Sequence, residues 1–432
     1  MGKVISMESS RGRSGRGGRR KQRGKTALVL GGGGITGGVY EIGALRAFDL
    51  LAVNKTVNEF DIYVGTSAGA FVASMISNGV TPEEMMRVLN KALPSPIEDP
   101  SLGTLLRFNY GGLASSIAKL PLRVAGTLRH LAGNWGEISL VDLAAGLSEG
   151  LPSGLYHNEG IEAYVRDVLG DPDRTNDFRE LDSDLRIVAA DLDTCERVVL
   201  GEGEWADVPI SQAVAASGAL PVVYEPYTMK GRQLIDGGIV STTNLDVAVE
   251  MGATFIVVVN PLVPYVNDFE RGLPTASGSR VSRIGELGMG AIANQSFRML
   301  AHNRLHLAIA SWHERYPDTD IILIEPATDD ALMFGTSILD YTSRLEIAKH
   351  GFESVTVKLA QDYAHYKKIA ARHGIEISAR RVNRVLDRVA EEGRDISAWR
   401  RVLEQTTGAL LRQGSQDQGT SKDLQPADGR RS

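Results

Sequence analysis

The sequence predicts an α/β fold in which a mostly parallel sheet is covered by helices on both faces. Short apolar runs alternate with segments of helical periodicity, and this alternation is typical of parallel strands joined by crossover helices. Residues 39–48, for example, carry apolar side chains three or four positions apart. The strand candidates are residues 27–30, 62–64, 185–190, 198–200, 233–235, 255–259 and 321–324.

The composition and the charge pattern predict one main domain with extensions. The chain has 432 residues, of which 43% are hydrophobic and 23% charged, as in a globular protein. We expect a disordered basic tail at residues 1–24, the main domain at 25–360, a helical extension at 361–412 and a disordered tail at 413–432. Within the main domain, residues 95–150 are expected to form a helical, apolar and basic insertion or lid.

Cysteine content and hydropathy indicate a cytoplasmic protein whose membrane contact, if any, is peripheral. The single cysteine, Cys195, excludes an internal disulfide framework. The basic N-terminus is not followed by the apolar stretch of a secretory signal, and no apolar run approaches the roughly 20 residues that span a bilayer. The insertion has two interpretations, a helical segment packed on the core or a cap that meets a lipid surface. Nucleic acid is not expected as a partner.

Two glycine-rich segments carry the first signs of chemistry. They read GGGGITG at residues 31–37 and GTSAG at residues 65–69, and each lies between an apolar run and a helical segment. Gly65 and Gly69 permit the strained turn that raises a serine nucleophile, Ser67, above a sheet edge. In the first segment, the backbone N–H groups of Gly32, Gly33 and Gly34 can approach a developing oxyanion. This layout is typical of a serine acyl hydrolase.

The best candidate for the catalytic base is Asp236, within the sequence LIDGG. It follows a predicted strand, and α/β sheets place ligands at the carboxyl ends of their strands. Gly237 and Gly238 would allow a close approach to Ser67. An Asp-Gly-Gly sequence alone is also typical of a turn, so the catalytic interpretation depends on the serine and glycine motifs beside it.

A histidine base and a metal site are the alternatives for the chemistry. His302, His306 or His313 could complete a Ser-Asp-His triad, but they lie in a segment that is predicted to be the body of a helix. His302 and His306 have the i, i+4 spacing of a zinc-binding pair. Asn303 stands where a metalloprotease has its glutamate, so no metal is expected.

A dinucleotide site is the alternative for the glycine loop. Gly32, Gly34 and Gly37 match the pattern G-x-G-x-x-G after a strand. The acidic residue that should hold a ribose about 20 positions later is poorly matched, because Asp49 is early and Asp61 immediately precedes the next strand. The motif explains neither Ser67 nor Asp236.

Four motifs in order resemble the patatin-like phospholipase family. They are the glycine loop at residues 31–37, the elbow at 65–69, the sequence ASGALP at 216–221 and the Asp-Gly-Gly motif at 236–238. The resemblance covers roughly residues 25–261 and extends more loosely to about residue 359. It implies a three-layer α/β catalytic domain at residues 25–360, with the helical insertion and C-terminal helices described above.

The resemblance also implies a function. Ser67 and Asp236 would form a catalytic dyad that hydrolyses carboxylic esters of lipids through an acyl-enzyme, with neither a histidine nor a cofactor. Two positions depart from the family pattern: Thr36 replaces a basic residue, and Asn244 lies later than the usual asparagine and is not followed by proline. They leave open a weakly active or non-catalytic lipid-binding protein.

Overall fold

The computed structural model describes residues 3–7, 24–90, 97, 101–112, 114, 151–270, 272–275, 279–381 and 383. The strands are β1 (Lys3–Met7), β2 (Lys25–Leu30), β3 (Ile62–Thr66), β4 (Arg107–Phe108), β5 (Gly154–His157), β6 (Asp184–Asp191), β7 (Arg197–Leu200), β8 (Val222–Tyr224), β9 (Tyr227–Met229), β10 (Arg232–Asp236), β11 (Ala253–Val259), β12 (Leu273–Pro274), β13 (Arg280–Val281) and β14 (Asp320–Glu325). The helices are α1 (Gly34–Leu51), α2 (Ala68–Ser77), α3 (Pro82–Leu89), α4 (Leu102–Leu105), α5 (Glu159–Leu169), α6 (Ile210–Ser217), α7 (Leu245–Glu250), α8 (Met289–Ala310), α9 (Trp312–Arg315), α10 (Ala331–Gly335), α11 (Arg344–Gln361) and α12 (Tyr363–Arg372).

The main sheet has nine strands within the described residues, and its centre is parallel. The order is β1-β14-β11-β2-β3-β6-β10-β9, with β7 also paired to β6. The strands β14, β11, β2, β3 and β6 run parallel to one another, whereas β1, β7, β9 and β10 each pair in antiparallel fashion. Two smaller sheets, β4-β5-β8 and β12-β13, lie outside it.

Helices cover both faces of this sheet, and successive side chains of the central strands enter two different cores. Leu28 and Leu30 of β2 pack in the larger core with residues of α1, α2 and α11. Ala27 and Val29 face the other way and pack with residues of α7 and α8. A strand that is buried on both faces has a continuous apolar sequence, which is why these strands were recognisable. The predicted fold class is confirmed.

Local signals also fix the helix that follows α2. Thr81 caps α3: its hydroxyl accepts from the Glu84 N–H at 3.2 Å, while the Glu84 carboxylate accepts from the Thr81 N–H at 2.8 Å. Pro82 occupies the first turn, where its missing N–H costs no hydrogen bond. This reciprocal arrangement is a capping box, and the sequence Thr-Pro-Glu-Glu at residues 81–84 is its local signature.

The N-terminal segment differs from its predicted disorder at residues 3–7. These residues form β1, which pairs antiparallel with β14 from Lys3 opposite Glu325 to Met7 opposite Ile321. The backbone groups on the free edge of β14 offer hydrogen bonds that composition alone does not reveal. The prediction of disorder is therefore wrong for this short stretch.

Much of the predicted insertion and extension lies outside the described residues. Of residues 95–150, only 97, 101–112 and 114 are described, and they include α4 and β4. Of the extension at 361–412, the described part ends at residue 383 and contains α12. No helix of the described residues combines the length and the apolar composition needed to cross a bilayer.

Candidate active site

Ser67 lies on a sharp turn between β3 and α2. Its backbone has φ 56° and ψ −124°, a conformation that non-glycine residues rarely adopt. The turn brings the chain so close to its neighbours that a Cβ on Gly65 would lie 2.5 Å from the Cα of Ala70, and one on Gly69 would lie 2.4 Å from the Leu30 oxygen. Glycine is therefore required on both sides of Ser67, and the strain resembles that of a nucleophile elbow.

The hydroxyl of Ser67 contacts the carboxylate of Asp236. Ser67 Oγ donates to Asp236 Oδ2 at 2.5 Å, across 169 residues of sequence. The second carboxylate oxygen, Oδ1, accepts from the Gly238 N–H at 2.7 Å, which fixes the orientation of the group. Ser67 is 8% exposed and Asp236 is 3% exposed. The structure thus places a hydroxyl and a carboxylate in direct contact, largely out of water.

Asp236 is the last residue of β10, a strand that runs opposite to the central parallel strands. The sequence predicts a strand whose carboxyl end lies with the other carboxyl ends, but β10 runs antiparallel to β6. Asp236 pairs with Ala189 of β6, and Thr66 pairs with the adjacent Val188 from the other side. Ser67 and Asp236 therefore flank β6 at the same level. Gly237 follows without a side chain because a Cβ there would lie 2.3 Å from the Val188 oxygen.

Burial changes the acidity of Asp236. Removal from water disfavours the charged form and raises the pKa of the carboxyl from 3.8 to about 6, although the hydrogen bonds from Ser67 and Gly238 lower it in part. A base whose pKa lies nearer the working pH is more effective at removing a proton while still being ionised at neutrality.

The backbone N–H groups of the glycine loop beside Ser67 fall into two types, those that donate a hydrogen bond and those that do not. The Gly31 N–H donates to the Val259 oxygen at 3.0 Å, and the Gly32 N–H donates to the Thr242 oxygen at 3.1 Å. Neither Gly33 nor Gly34 donates its N–H to any residue that the structure describes. Both lie at the N-terminus of α1, where the helix dipole favours negative charge. Gly32 contributes instead by having no side chain, because a Cβ there would lie 3.3 Å from the Cβ of Ser67.

Two residues that the sequence analysis did not assign to the site hold the elbow in place. Ser217, in the ASGALP motif, accepts the Ser67 N–H at 2.8 Å and donates its own hydroxyl to the Val188 oxygen at 2.6 Å. Asn244 donates to the Thr66 hydroxyl at 2.9 Å. Although Asn244 lies later than the usual asparagine, its side chain still connects the segment after Asp236 to the elbow. The ASGALP motif was a signal for Ser217, but motif matching does not reveal which atom it contacts.

Ser67 lies between two pockets of different character. The larger has a volume of about 170 Å³ and an almost wholly apolar wall. Its lining includes Val39, Ile42, Phe71, Val72, Ile161 and Val214. The smaller, about 30 Å³, contacts Asp236, the glycine loop and two side chains of α8, Asn294 and Phe297.

A histidine base for Ser67 finds less support in the geometry. His306 contacts Glu325 rather than Ser67, with 3.2 Å between His306 Nε2 and Glu325 Oε2. His302 lies against His306, and the side chain of His313 is outside the described residues.

The two candidate ribose-binding acids serve local structure. Asp49 accepts from the Val57 N–H at 2.6 Å, and Asp61 accepts from the Thr26 N–H at 2.7 Å. Asp61 precedes β3, whereas the glycine loop follows β2 at the opposite edge of the sheet. The geometry therefore does not place an acid for a nucleotide ribose beside the loop.

A family model connects this architecture to known proteins. The model described as patatin-like phospholipase matches residues 28–249, about half of the chain, including the second half of β2, the elbow and Asp236. The fold is therefore a three-layer α/β architecture in which a mostly parallel sheet lies between helices. The chain belongs to the patatin-like phospholipase family.

Individual relatives are distant. The uncharacterized protein YqhO of Bacillus subtilis (strain 168) is 25% identical over 231 residues, which cover 49% of this chain and 63% of YqhO. Among solved structures, VipD from Legionella pneumophila has 16% identity and a TM-score of 0.33, with 90% of this chain and 80% of VipD covered. Human GIVD cytosolic phospholipase A2, in complex with methyl gamma-linolenyl fluorophosphonate, has 11% identity and a TM-score of 0.30, with 81% and 60% covered. The family assignment rests on the sequence match.

Proposed function

We propose that this protein is a serine acyl hydrolase that cleaves carboxylic esters of lipids. The observation that carries the proposal is the direct 2.5 Å hydrogen bond from Ser67 to Asp236 at the junction of an apolar pocket and a glycine loop. Membership of the patatin-like phospholipase family supports lipid as the class of substrate.

The proposed reaction uses Ser67 and Asp236 as a dyad. Asp236 accepts the Ser67 proton as Oγ bonds to the ester carbonyl carbon, which gives a tetrahedral oxyanion. When the carbon–oxygen bond to the alcohol breaks, the alcohol leaves with the proton that Asp236 held. Asp236 then takes a proton from water, whose hydroxide attacks the acyl-enzyme. Collapse of this second intermediate releases the fatty acid and returns the proton to Ser67.

The proposed oxyanion donors are the N–H groups of Gly33 and Gly34. Both glycines line the small pocket with Ser67, and neither donates its N–H to a described residue. Gly32, which the sequence analysis grouped with them, donates its N–H to Thr242 and has a spacing role in this proposal. The backbone supplies these donors without the basic side chain that Thr36 replaces. Thr36 is itself buried.

The apolar pocket is proposed to bind the acyl chain. Each buried methylene group contributes about 0.8 kcal/mol, so kcat/KM is expected to rise about fourfold per added methylene until the pocket is full. A series of p-nitrophenyl esters from acetate to decanoate measures this dependence. Ile161→Trp narrows the pocket and is expected to abolish the preference for long chains without reducing acetate hydrolysis. Ile292→Trp, at a half-exposed site outside both pockets, is the matched control.

The titration of Asp236 predicts the pH dependence. Because the base must be ionised and burial raises its pKa to about 6, kcat/KM is expected to fall tenfold per pH unit below about pH 6. The measurement is a profile of kcat/KM between pH 4 and pH 8 with an uncharged ester. An acidic limb centred near pH 4, as for an exposed aspartate, would contradict the assignment.

Covalent labelling tests the proposal directly. A lipid fluorophosphonate reacts with an activated serine, and mass spectrometry of the digested protein should find the adduct on Ser67. Hydrolysis of phospholipid vesicles, followed by release of fatty acid, tests the substrate class. Vesicle binding without labelling or turnover would instead support the non-catalytic lipid-binding alternative.

A further inference from the structure

The helix α8 presents two histidines on one flank near the end of the sheet. His302 and His306 are one turn apart, and their ring centroids are separated by 4.0 Å. Both are partly buried. The adjacent stripe of α8 is buried, and its residues Leu305 and Ile309 pack in the core that covers this face of the sheet. The histidine flank is consequently held in a fixed position relative to the strands.

A third potential metal ligand comes from another element. Glu325 is the last residue of β14 and is 1% exposed. Its Oε2 lies 3.2 Å from His306 Nε2, and its Oε1 accepts from Asn260 Nδ2 at 2.8 Å. Asn260 is fully buried and directly follows β11, so the Glu325 carboxylate is oriented from the neighbouring strand.

Burial of the Glu325 carboxylate calls for a compensating positive charge. A buried carboxylate is costly unless it is paired or coordinates a metal. Among the side chains that the structure describes, no lysine or arginine forms an ion pair with Glu325, and His306 is charged only when it is protonated. A divalent cation bound by neutral imidazoles would supply the charge at neutral pH.

The donor atoms have the spacing of a metal site. One nitrogen from each histidine and one Glu325 oxygen lie within 4.8 Å of one another. Two ligands of a tetrahedral zinc ion, each about 2.0–2.1 Å from the metal, lie about 3.4 Å apart, close to the observed 3.2 Å. Two imidazoles favour zinc over magnesium or calcium, which prefer oxygen ligands. We propose that His302, His306 and Glu325 bind a Zn²⁺ ion, with Asn260 as a positioning residue for Glu325.

This site would attach α8 to the end of the sheet near the candidate active site. Asn294 and Phe297, on the same helix, line the small pocket beside Asp236. Arg304, between the two histidines, donates to the carbonyl oxygens of Ile239 and Val240 in the segment after Asp236. Zinc bound only by the folded state is therefore expected to raise Tm and to stabilise this pocket wall.

Metal titration of the full chain tests the proposal. After treatment with a chelator, the protein is titrated with Zn²⁺ by calorimetry, and with Co²⁺ followed by visible absorption. We expect a single Zn²⁺ site per chain and Co²⁺ bands characteristic of nitrogen and oxygen coordination. Asn260→Ala is expected to weaken binding about 10–100-fold, the usual effect of removing a group that orients a ligand. His302→Gln, which removes a ligand, is expected to cause a larger loss.

The control is a histidine–carboxylate pair with a similar contact. His157 Nδ1 lies 2.5 Å from Glu225 Oε1, but among the described residues a group of three potential metal ligands occurs only at His302, His306 and Glu325. His157→Gln should therefore leave Zn²⁺ affinity unchanged. Equal affinity in the wild type and His302→Gln would show that the His306–Glu325 contact is only an ion pair. The absence of both Zn²⁺ binding and Co²⁺ bands in the wild type overturns the proposal without reference to any variant.

Discussion

Replacement of Ser67 by alanine is expected to lower kcat for ester hydrolysis by about 10⁶-fold, the scale seen when a serine hydrolase loses its nucleophile. The variant retains the backbone turn at φ 56°, so the loss should come from the missing Oγ rather than from unfolding. Initial rates with p-nitrophenyl octanoate measure the effect. Ser77→Ala is the matched control, since Ser77 also lies on α2 but its hydroxyl, within the part of the chain that the structure describes, bonds only to the Ser74 oxygen at 3.2 Å.

Asp236→Asn is the companion change in the dyad. It keeps the shape of the side chain but removes the base, and a general base is worth about 10²–10⁴-fold. Activity that survives both Ser67→Ala and Asp236→Asn would remove the dyad from the proposed mechanism. Loss in Ser67→Ala alone would leave Ser67 as nucleophile and assign the base elsewhere.

Asp236→Asn should also make the folded protein more stable than the wild type at neutral pH. The folded state holds the Asp236 proton up to about pH 6, whereas the unfolded chain releases it near pH 3.8. Between these values the folded state binds more protons, so wild-type stability falls as the pH rises, by about 3 kcal/mol in total. Asparagine does not ionise and avoids this loss. We expect a higher Tm for Asp236→Asn at pH 7 and convergence with wild type below about pH 4, measured by calorimetry.

Gly34→Ala is expected to reduce kcat by about 10²-fold or more, comparable to the loss of an oxyanion donor. Gly34 has φ 62°, and a Cβ there would lie 2.5 Å from the Ile338 oxygen. The loop must move to relieve this contact, and the N–H groups of Gly33 and Gly34 move with it. A displacement of these donors weakens their bond to the oxyanion while the substrate still binds, so KM should change much less than kcat.

Gly79→Ala provides the control for backbone strain. Gly79 has φ 84°, but nothing lies within 4 Å of the position of its Cβ, and it follows α2 away from the loop. Its replacement should reduce stability through the left-handed conformation and leave kcat unchanged. Equal kcat losses in the two variants would mean that general destabilisation explains the Gly34 effect.

The sequence predicted those features that depend on local chemistry. The buried strands were recognisable because residues 255–259 and 321–324 are apolar on both faces, and the capping box at Thr81 depends only on nearby residues. The family resemblance indicated Ser67 and Asp236 together.

What the sequence did not reveal depends on contacts between distant segments. The antiparallel direction of β10 follows from how it pairs with β6. The Gly32 N–H donates to the backbone oxygen of Thr242, which lies more than 200 residues away in the sequence. Glu325 joins the histidines of α8 only because β14 ends beside that helix. No local sequence pattern encodes these contacts, because they depend on the order of the strands in the sheet.

The position of β6 between the strands that carry Ser67 and Asp236 has a consequence during synthesis. A ribosome delivers the elbow and the glycine loop first, but Asp236 emerges 169 residues after Ser67. Until β6 and β10 have both paired, the nascent chain holds a serine without its proposed base. If the proposed dyad is correct, ester hydrolysis requires translation to continue past β10, and prematurely terminated products that end before β10 should be inactive.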